Sequence, residues 1–396
     1  MEQNVLIKNG RAVLPDRVMN NCDIMIADGS IISLSAGSSI KVATRTKVID
    51  AGGRYVFPGF IDLHCDAIEK EIEPRPNAFF PIEISLSELE KKLAGQGVTT
   101  VFHSISFAEG ELGLRSNDMA AKIIEKIQSI TARRSLIRNR IHIRFEITDV
   151  FASDFIVSLI HRGIVDLLSF MDHTPGRGQF QRAEDYRAYL AKTYRMSCGV
   201  IDEIVVRKEQ ASGGLDAIVG LLAEEAVAHG VTLASHDDDS AGRVQDMLDL
   251  GVKISEFPVN LEAAAKAHDV GMWICVGAPN VVRGESQSNN LRAIDAIKRN
   301  IAQILCSDYY PSALLHAVFK LTVEGFSLPE AVAMASLNPA KAIGIDDVLG
   351  SIEVGKKADL IIVDHQDELP VILTTLVEGY PVYQIDYRGE HINANG

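Results

Sequence analysis

At 396 residues, 47% hydrophobic and 23% charged, the chain has the length and composition of an ordinary globular protein with one large barrel and a modest second domain. Acidic residues outnumber basic ones 53 to 39, a formal charge of −14, which argues against nucleic acid or an anionic membrane as partner. Cys22, Cys65, Cys198, Cys275 and Cys306 are odd in number and form no CxxC, so reduced thiols in a cytoplasmic protein are expected. The first residues, Met1-Glu2-Gln3-Asn4, do not begin a signal-peptide pattern. The uncharged run 270–282 is far short of the roughly 20 residues that a spanning helix requires, so no membrane association is expected.

Residues 1–57 read as short strands divided by turns. Val5-Leu6-Ile7 runs into Asn9-Gly10, Asp23-Ile24-Met25-Ile26 into Asp28-Gly29, and Ile31-Ile32-Ser33-Leu34 follows. The last fifty residues look alike, with Gly350-Ser351-Ile352, 358–363, 375–379 and Pro381-Val382-Tyr383. Both termini together, 1–57 plus 347–396, therefore predict one small β-sandwich domain. Between them, over 58–346, strand-like runs at 60–66, 98–104, 141–147, 165–172, 231–237, 254–259, 273–278 and 303–308 alternate with helix-like segments. Eight such strands predict an α/β fold, a (β/α)8 TIM-like metallo-hydrolase barrel. The polar stretch 174–215, with a helix over 183–190, is an excursion beyond the barrel mouth of the kind that shapes a substrate site.

Phe60-Ile61-Asp62-Leu63-His64-Cys65-Asp66 carries the strongest local signal. Its apolar lead-in predicts a buried strand, and period-2 geometry puts His64 and Asp66 on one side of its end, with Cys65 pointing away as a structural thiol. Imidazole and carboxylate are both ligands for a divalent metal. Four further runs end in the same residue types and supply Glu146, His173, His236 and Asp308. Any one of these alone reads as a structural residue, but six at one barrel face point to a metal site. Two divalent ions need about five or six ligands, which matches this set. His103, at the end of the second predicted strand, is a candidate for substrate contact. His142, His161, His229, His268 and His316 take the plainer reading of packing or surface residues.

A basic set follows the same strands. Lys70 and Arg75 come directly after the first, Arg177 after His173, and Asn280 and Arg283 after the seventh. Cations on loops at the mouth of an acidic protein suggest a phosphorylated small molecule, since the guanidinium fork matches phosphate geometry.

At these residues the chain resembles the amidohydrolase superfamily and, within it, the PhnM-type family of phosphonate metabolism. PGFIDLHCDAIEKEIEPRP at 58–76, FMDHTPGRGQF at 170–180, ASHDD at 234–238, GAPNVVRG at 277–284, SDYYP at 307–311 and GSIEVGKKADLIIVD at 350–364 carry the likeness. It implies hydrolysis of a ribosyl 5-triphosphate to the 5-monophosphate and pyrophosphate. It also implies metal-ligand roles for His64, Asp66, Glu146, His173, His236 and Asp308, with Glu146 replacing the modified lysine that often bridges the metals. Two divalent ions are implied, zinc by the His-rich half of the set, with manganese or iron as alternatives. Asp308 is the expected general base, and Lys70, Arg75, Arg177 and Arg283 the expected neutralising charges. Two departures stand out: Glu285 adds negative charge near the expected phosphate site, and Gln287 stands where the family pattern has His. Two rival readings are an amide or amidine hydrolase or deaminase on the same ligands, and a non-catalytic barrel scaffold. A homo-oligomer is compatible with the sequence.

Overall fold

The computed structural model describes residues 4–37, 46–108, 114–174, 178, 182–194, 197–210, 215–286, 290–365 and 369–387. Alternating apolar residues in Val5–Val13 (β1), Val18–Ala27 (β2) and Ser30–Ala36 (β3) pair as an antiparallel ribbon. The first half of β1 also pairs with Lys47–Asp50 (β4), and its second half with Tyr55–Pro58 (β5), both parallel.

A barrel interrupts this sheet. Its strands are Phe60–Cys65 (β6), Val98–Phe107 (β7), Arg138–Glu146 (β8) and Leu167–Met171 (β9). Thr232–His236 (β10), Ile254–Glu256 (β11), Trp273–Gly277 (β12) and Ile304–Cys306 (β13) complete it. The chain then returns to the terminal sheet with Leu360–Asp364 (β14), Val371–Val377 (β15) and Tyr380–Gln384 (β16), where β14 lies antiparallel to β5. Among the described residues the terminal sheet runs β16-β15-β14-β5-β1-β2-β3, with β4 on β1. Ile7, Ile24, Ile31, Val56, Leu360 and Leu376 gather into its core.

The barrel strands lie side by side in chain order and pair in parallel. This is the eight-stranded α/β barrel that the sequence predicts. Closure between the first and last strands happens at the carboxyl ends. Asp66 N–H donates to the Asp308 carbonyl at 2.9 Å, and Asp308 N–H donates to the His64 carbonyl at 2.9 Å.

Strand alternation divides the side chains into two populations. Ile141, Ile143 and Phe145 of β8 point outward into the layer between strands and helices. Inward residues such as Ile61, Leu63, Phe102, Leu167, Ile254 and Ile304 fill the barrel, and Ala340, Ala342 and Leu349 join them near the strand starts. With the amino-terminal end packed by apolar groups, the inward polar residues collect at the carboxyl ends. Cys65 lies in the outward population, buried and unpaired.

Between β9 and β10 the helices Ala183–Tyr194 and Cys198–Gln210 pack on one another. Tyr186, Leu190, Ile201, Ile204 and Val205 form a small core there, separate from the barrel's. Among the described residues no helix is long and apolar enough to cross a membrane.

Gly59 links the terminal sheet to the first barrel strand, and a Cβ at this position would run into the Thr99 side chain of β7. Gly59→Ala should therefore destabilise the fold by about 1–3 kcal/mol, the usual scale of overpacking. Adding Thr99→Ala should restore part of that loss. Urea unfolding of both variants measures it, and an unchanged midpoint for the single variant would contradict the packing argument.

Candidate metal centre

Strands β6, β9, β10 and β11 carry the heart of the site. On β6, where the pairing to β7 shifts register between Asp62 and Cys65, His64 is buried inside the barrel. Its Nδ1 lies 3.1 Å from Oε1 of Glu256, the last residue of β11, and its Nε2 lies 3.5 Å from Asp66 Oδ1. At the end of β10, His236 Nδ1 lies 2.9 Å from Asp237 Oδ2. His173, just past β9, has Nδ1 2.9 Å from Glu146 Oε2 and Nε2 3.6 Å from Asp237 Oδ2. The His64 and His236 rings stand 5.4 Å apart, and Phe257 packs on both.

Asp237, Phe257 and Asp308 follow β10, β11 and β13 with φ of 56°, 53° and 56°. Left-handed backbone is rare outside glycine, and for a bulky residue such as Phe257 it is a true outlier. Such strain persists only where the surroundings over-determine it. Here it turns the chain after three of the barrel strands around the same group of imidazoles.

Inward alternation on β8 stacks His142, Arg144 and Glu146 up the barrel wall. His142 is deepest, with Nε2 2.9 Å from the Ser169 hydroxyl and Nδ1 3.1 Å from the Leu63 carbonyl. Above it, the Arg144 guanidinium donates to both Asp66 oxygens, at 3.0 and 3.2 Å, and stands 3.4 Å from His236 Nε2. At the rim, Glu146 accepts from the Thr148 hydroxyl at 3.0 Å and the His173 N–H at 3.3 Å, and pairs with Lys208 at 3.4 Å.

The electrostatics follow from this crowding. Burial works against a proton on His64, but the Glu256 charge and contacts to Asp66 outweigh it and raise its pKa to about 10. For His173, burial is likewise outweighed, by Asp237 and Glu146, to about 9. Burial lowers His236. Burial opposes the Asp66 charge too, yet Arg144 and His64 hold its carboxyl well below the usual range. Asp308 goes the other way: burial, then the Asp66 charge, pushes it up to about 7.

These donors suit a divalent cation. His64, Asp66 and Asp308 each offer an atom within 4.8 Å of the others, and so do His173, His236 and Asp237. Carboxylates sit on the Nδ1 atoms, as they commonly do for metal-ligating histidines; Nε2 of His64 and His173 faces Asp66 and Asp237, while His236 Nε2 faces Arg144. The raised pKa values of His64 and His173 make the same point, since surroundings that draw a proton there also draw a metal ion. A third group, His64, His142 and Glu256, has the spacing, but both ring nitrogens of His142 are already engaged. His161, Glu225 and His229 form an exposed group on the outer helices.

Of the sequence-predicted residues, His64, Asp66, His173, His236 and Asp308 come together. Glu146 lies beside them with both oxygens in contact, and among the described residues it belongs to none of the three-donor groups. His103 is a correction: its Nε2 bonds Asn139 Oδ1 at 2.8 Å, and Asn139 bonds Glu90 of the surrounding helix Ile82–Gly95. It faces the helical layer, because β7 continues to Phe107 and His103 stands at an outward position. Asn280 is a second correction. It lies in a short helix, Ala278–Arg283, and its amide is engaged by the Leu291 carbonyl and the Ala293 N–H, each at 3.0 Å.

Lys70 and Arg75 are exposed, and exposed Arg283 pairs with Glu285 at 3.1 Å. Arg177 and Gln287 lie outside the described residues. Sequence reasoning missed Glu256, Asp237, Arg144 and Lys208. Arg144 sits two residues before Glu146 on the same face of a predicted strand, so alternation points to it; Glu256 lies inside the predicted strand 254–259, and only the shorter observed strand ends at it.

A raised carboxyl makes a stability prediction for protein stripped of metal. Asp308 ionises near 3.8 when unfolded and near 7 when folded, so the fold loses stability as pH rises through that window. Asp308→Asn removes this loss. Its melting temperature should exceed that of wild type at pH 8, with the gap closing toward pH 4. A gap independent of pH would contradict the burial of this carboxyl.

Comparison with known proteins agrees with this geometry. The Amidohydrolase family matches residues 213–385. The alpha-D-ribose 1-methylphosphonate 5-triphosphate diphosphatase of Escherichia coli (strain K12) is 31% identical over 373 residues, 92% of this chain and 96% of that protein. The 5'-deoxyadenosine deaminase of Methanobrevibacter smithii is 25% identical, covering 88% of this chain and 82% of its own. Among solved structures, N-acetylglucosamine-6-phosphate deacetylase from Pasteurella multocida superposes with a TM-score of 0.64 at 13% identity. That match covers 96% of this chain and 99% of the deacetylase, and shows a shared fold. The chain belongs to the amidohydrolase superfamily, a family of metal-dependent hydrolases, on its PhnM-type branch.

Proposed function

We propose that this chain is a metal-dependent diphosphatase. It would cleave a ribosyl 5-triphosphate of the kind named for its Escherichia coli relative, alpha-D-ribose 1-methylphosphonate 5-triphosphate, to the 5-monophosphate and pyrophosphate. One observation carries this choice: the buried guanidinium of Arg144 stands among the metal donors, on Asp66 and beside His236. Planar donor forks suit phosphoryl oxygens, and phosphoryl transfer relies on cations placed where charge spreads.

In this reading His64, Asp66 and Asp308 hold one divalent ion and His173, His236 and Asp237 a second, zinc being best suited and manganese or iron alternatives. The ions would supply a Lewis acid that activates water and offsets charge on the phosphoryl oxygens. Asp308, at the end of the last barrel strand beside His64 and Asp66, takes the proton of the attacking water. Arg144 binds a phosphoryl oxygen as charge builds there. Glu256 and Glu146 hold the His64 and His173 imidazoles in place, and Phe257 packs on His64 and His236. Five cysteines without a CxxC support a cytoplasmic setting.

The second reading, a deaminase or amide hydrolase, draws support from the likeness to 5'-deoxyadenosine deaminase. Metal-loaded protein offered ribosyl 5-triphosphates and aminopurine nucleosides separates the two. Pyrophosphate release is the expected result; ammonia release without pyrophosphate would put the deaminase in its place. Asp308→Asn should lower turnover by about two to four orders of magnitude, the scale of a general base, and near-normal turnover would remove Asp308 from the mechanism. Glu256→Gln should weaken metal retention by about 10- to 100-fold, read by metal analysis after dialysis against a graded chelator. Unchanged retention would mean that Glu256 does not orient His64.

A further inference from the structure

Lys208 sits on the helix Cys198–Gln210, in the two-helix insertion between β9 and β10, yet its side chain is only 5% exposed. Its Nζ reaches 3.4 Å from Glu146 Oε2 at the barrel rim and lies 5.7 Å from the centre of the Tyr186 ring on the sister helix. The insertion has its own small core, so this cation is delivered to the metal centre by a separate packing unit.

Glu146 does not depend on Lys208 alone. The Thr148 hydroxyl at 3.0 Å, the His173 N–H at 3.3 Å and His173 Nδ1 at 2.9 Å also meet its carboxylate. Lys208 makes the longest of these contacts and can move to another anion without leaving Glu146 bare. Lys70 and Arg75 stay in solvent, and Arg283 is paired with Glu285. A polyphosphate entering the mouth therefore meets Lys208 as a buried cation on the insertion side, beside Glu146, which stands two residues up its strand from Arg144.

We propose that Lys208 binds the outer phosphoryl groups of the substrate, those that leave as pyrophosphate, by exchanging its contact with Glu146 for their oxygens. This proposal rests on the diphosphatase reading above. Its chemistry is an ammonium donating to anionic oxygens, with no covalent step. It assigns the insertion a part in choosing polyphosphorylated over uncharged substrates.

Calorimetric titration of inorganic pyrophosphate into the metal-loaded full chain tests it, at matched metal content. Lys208→Met keeps an unbranched side chain without the charge and should bind pyrophosphate about 10- to 100-fold more weakly, the scale of a contact between charged partners. Lys208→Arg should recover most of that affinity. If Lys208→Met binds as tightly as wild type, or if Arg restores nothing, Lys208 is only a structural partner of Glu146 and the proposal is wrong while the diphosphatase reading stands. If wild type itself binds no pyrophosphate, both fall together. Should Lys208→Met fail to fold, the double variant Lys208→Met/Glu146→Gln removes both charges, and retained wild-type affinity in it would overturn the proposal equally.

Discussion

Contacts between carboxylates and imidazole Nδ1 atoms, at 3.1 Å for His64–Glu256, 2.9 Å for His236–Asp237 and 2.9 Å for His173–Glu146, govern this molecule's chemistry. An imidazole has two nitrogens, and fixing one decides where the other points and whether it carries a proton. Each anchoring carboxylate comes from a different barrel strand or the residue just after one, so the aim of every Nε2 depends on barrel register. A one-residue slip in β11 would turn Glu256 outward and leave His64 without its partner. The barrel's regularity and the site's geometry are thus one constraint.

Charge follows from the same arrangement. Among the described residues, Asp66, Glu146, Asp237, Glu256 and Asp308 converge from five strand ends, with Arg144 and Lys208 as the buried cations against them. Five carboxyl groups in so small a volume cannot all ionise without more positive charge, and Asp308 shows the deficit by holding its proton to about 7. The imidazoles answer it in part by protonating. A metal ion would relieve the same imbalance without the proton, which connects the chemistry of the donors to the stability of the barrel.

Much of this was legible in the sequence because the barrel has simple periodicities. Eight apolar runs marked eight strands, and the strand-end rule found His64, Asp66, His173, His236 and Asp308 side by side. The misses have physical causes. His103 looks like a strand end in sequence, but β7 runs on to Phe107, and a position adjacent to the inward Phe102 must face outward. Arg144 and His142 share the inward face with Glu146, yet both look like ordinary strand residues when the strand is not followed backward. Glu256 ends its strand, but the sequence pattern carries that run on to 259 and so places Glu256 inside it. Lys208 could not have been found this way, since only the packing of the inserted helices brings it to the rim. The loop cations Lys70 and Arg75 were read from proximity in sequence, which says nothing about where a flexible side chain points.

The seam between the first and last barrel strands has a consequence for biosynthesis. Asp66 and Asp308, joined there by backbone hydrogen bonds, are synthesised far apart in time. At about 5–20 residues per second, the later one leaves the ribosome roughly ten to fifty seconds after the earlier. Until then His64 and Asp66 belong to an open sheet with a bare edge, and the donor set they share with Asp308 is incomplete. On the reading proposed above, ion capture by that set would be a late event for each newly made chain, tied to completion of the ring. A cell starved of the metal would accumulate closed but unloaded barrels, and a ribosome stalled before residue 308 would leave chains that cannot complete the site at any ion concentration.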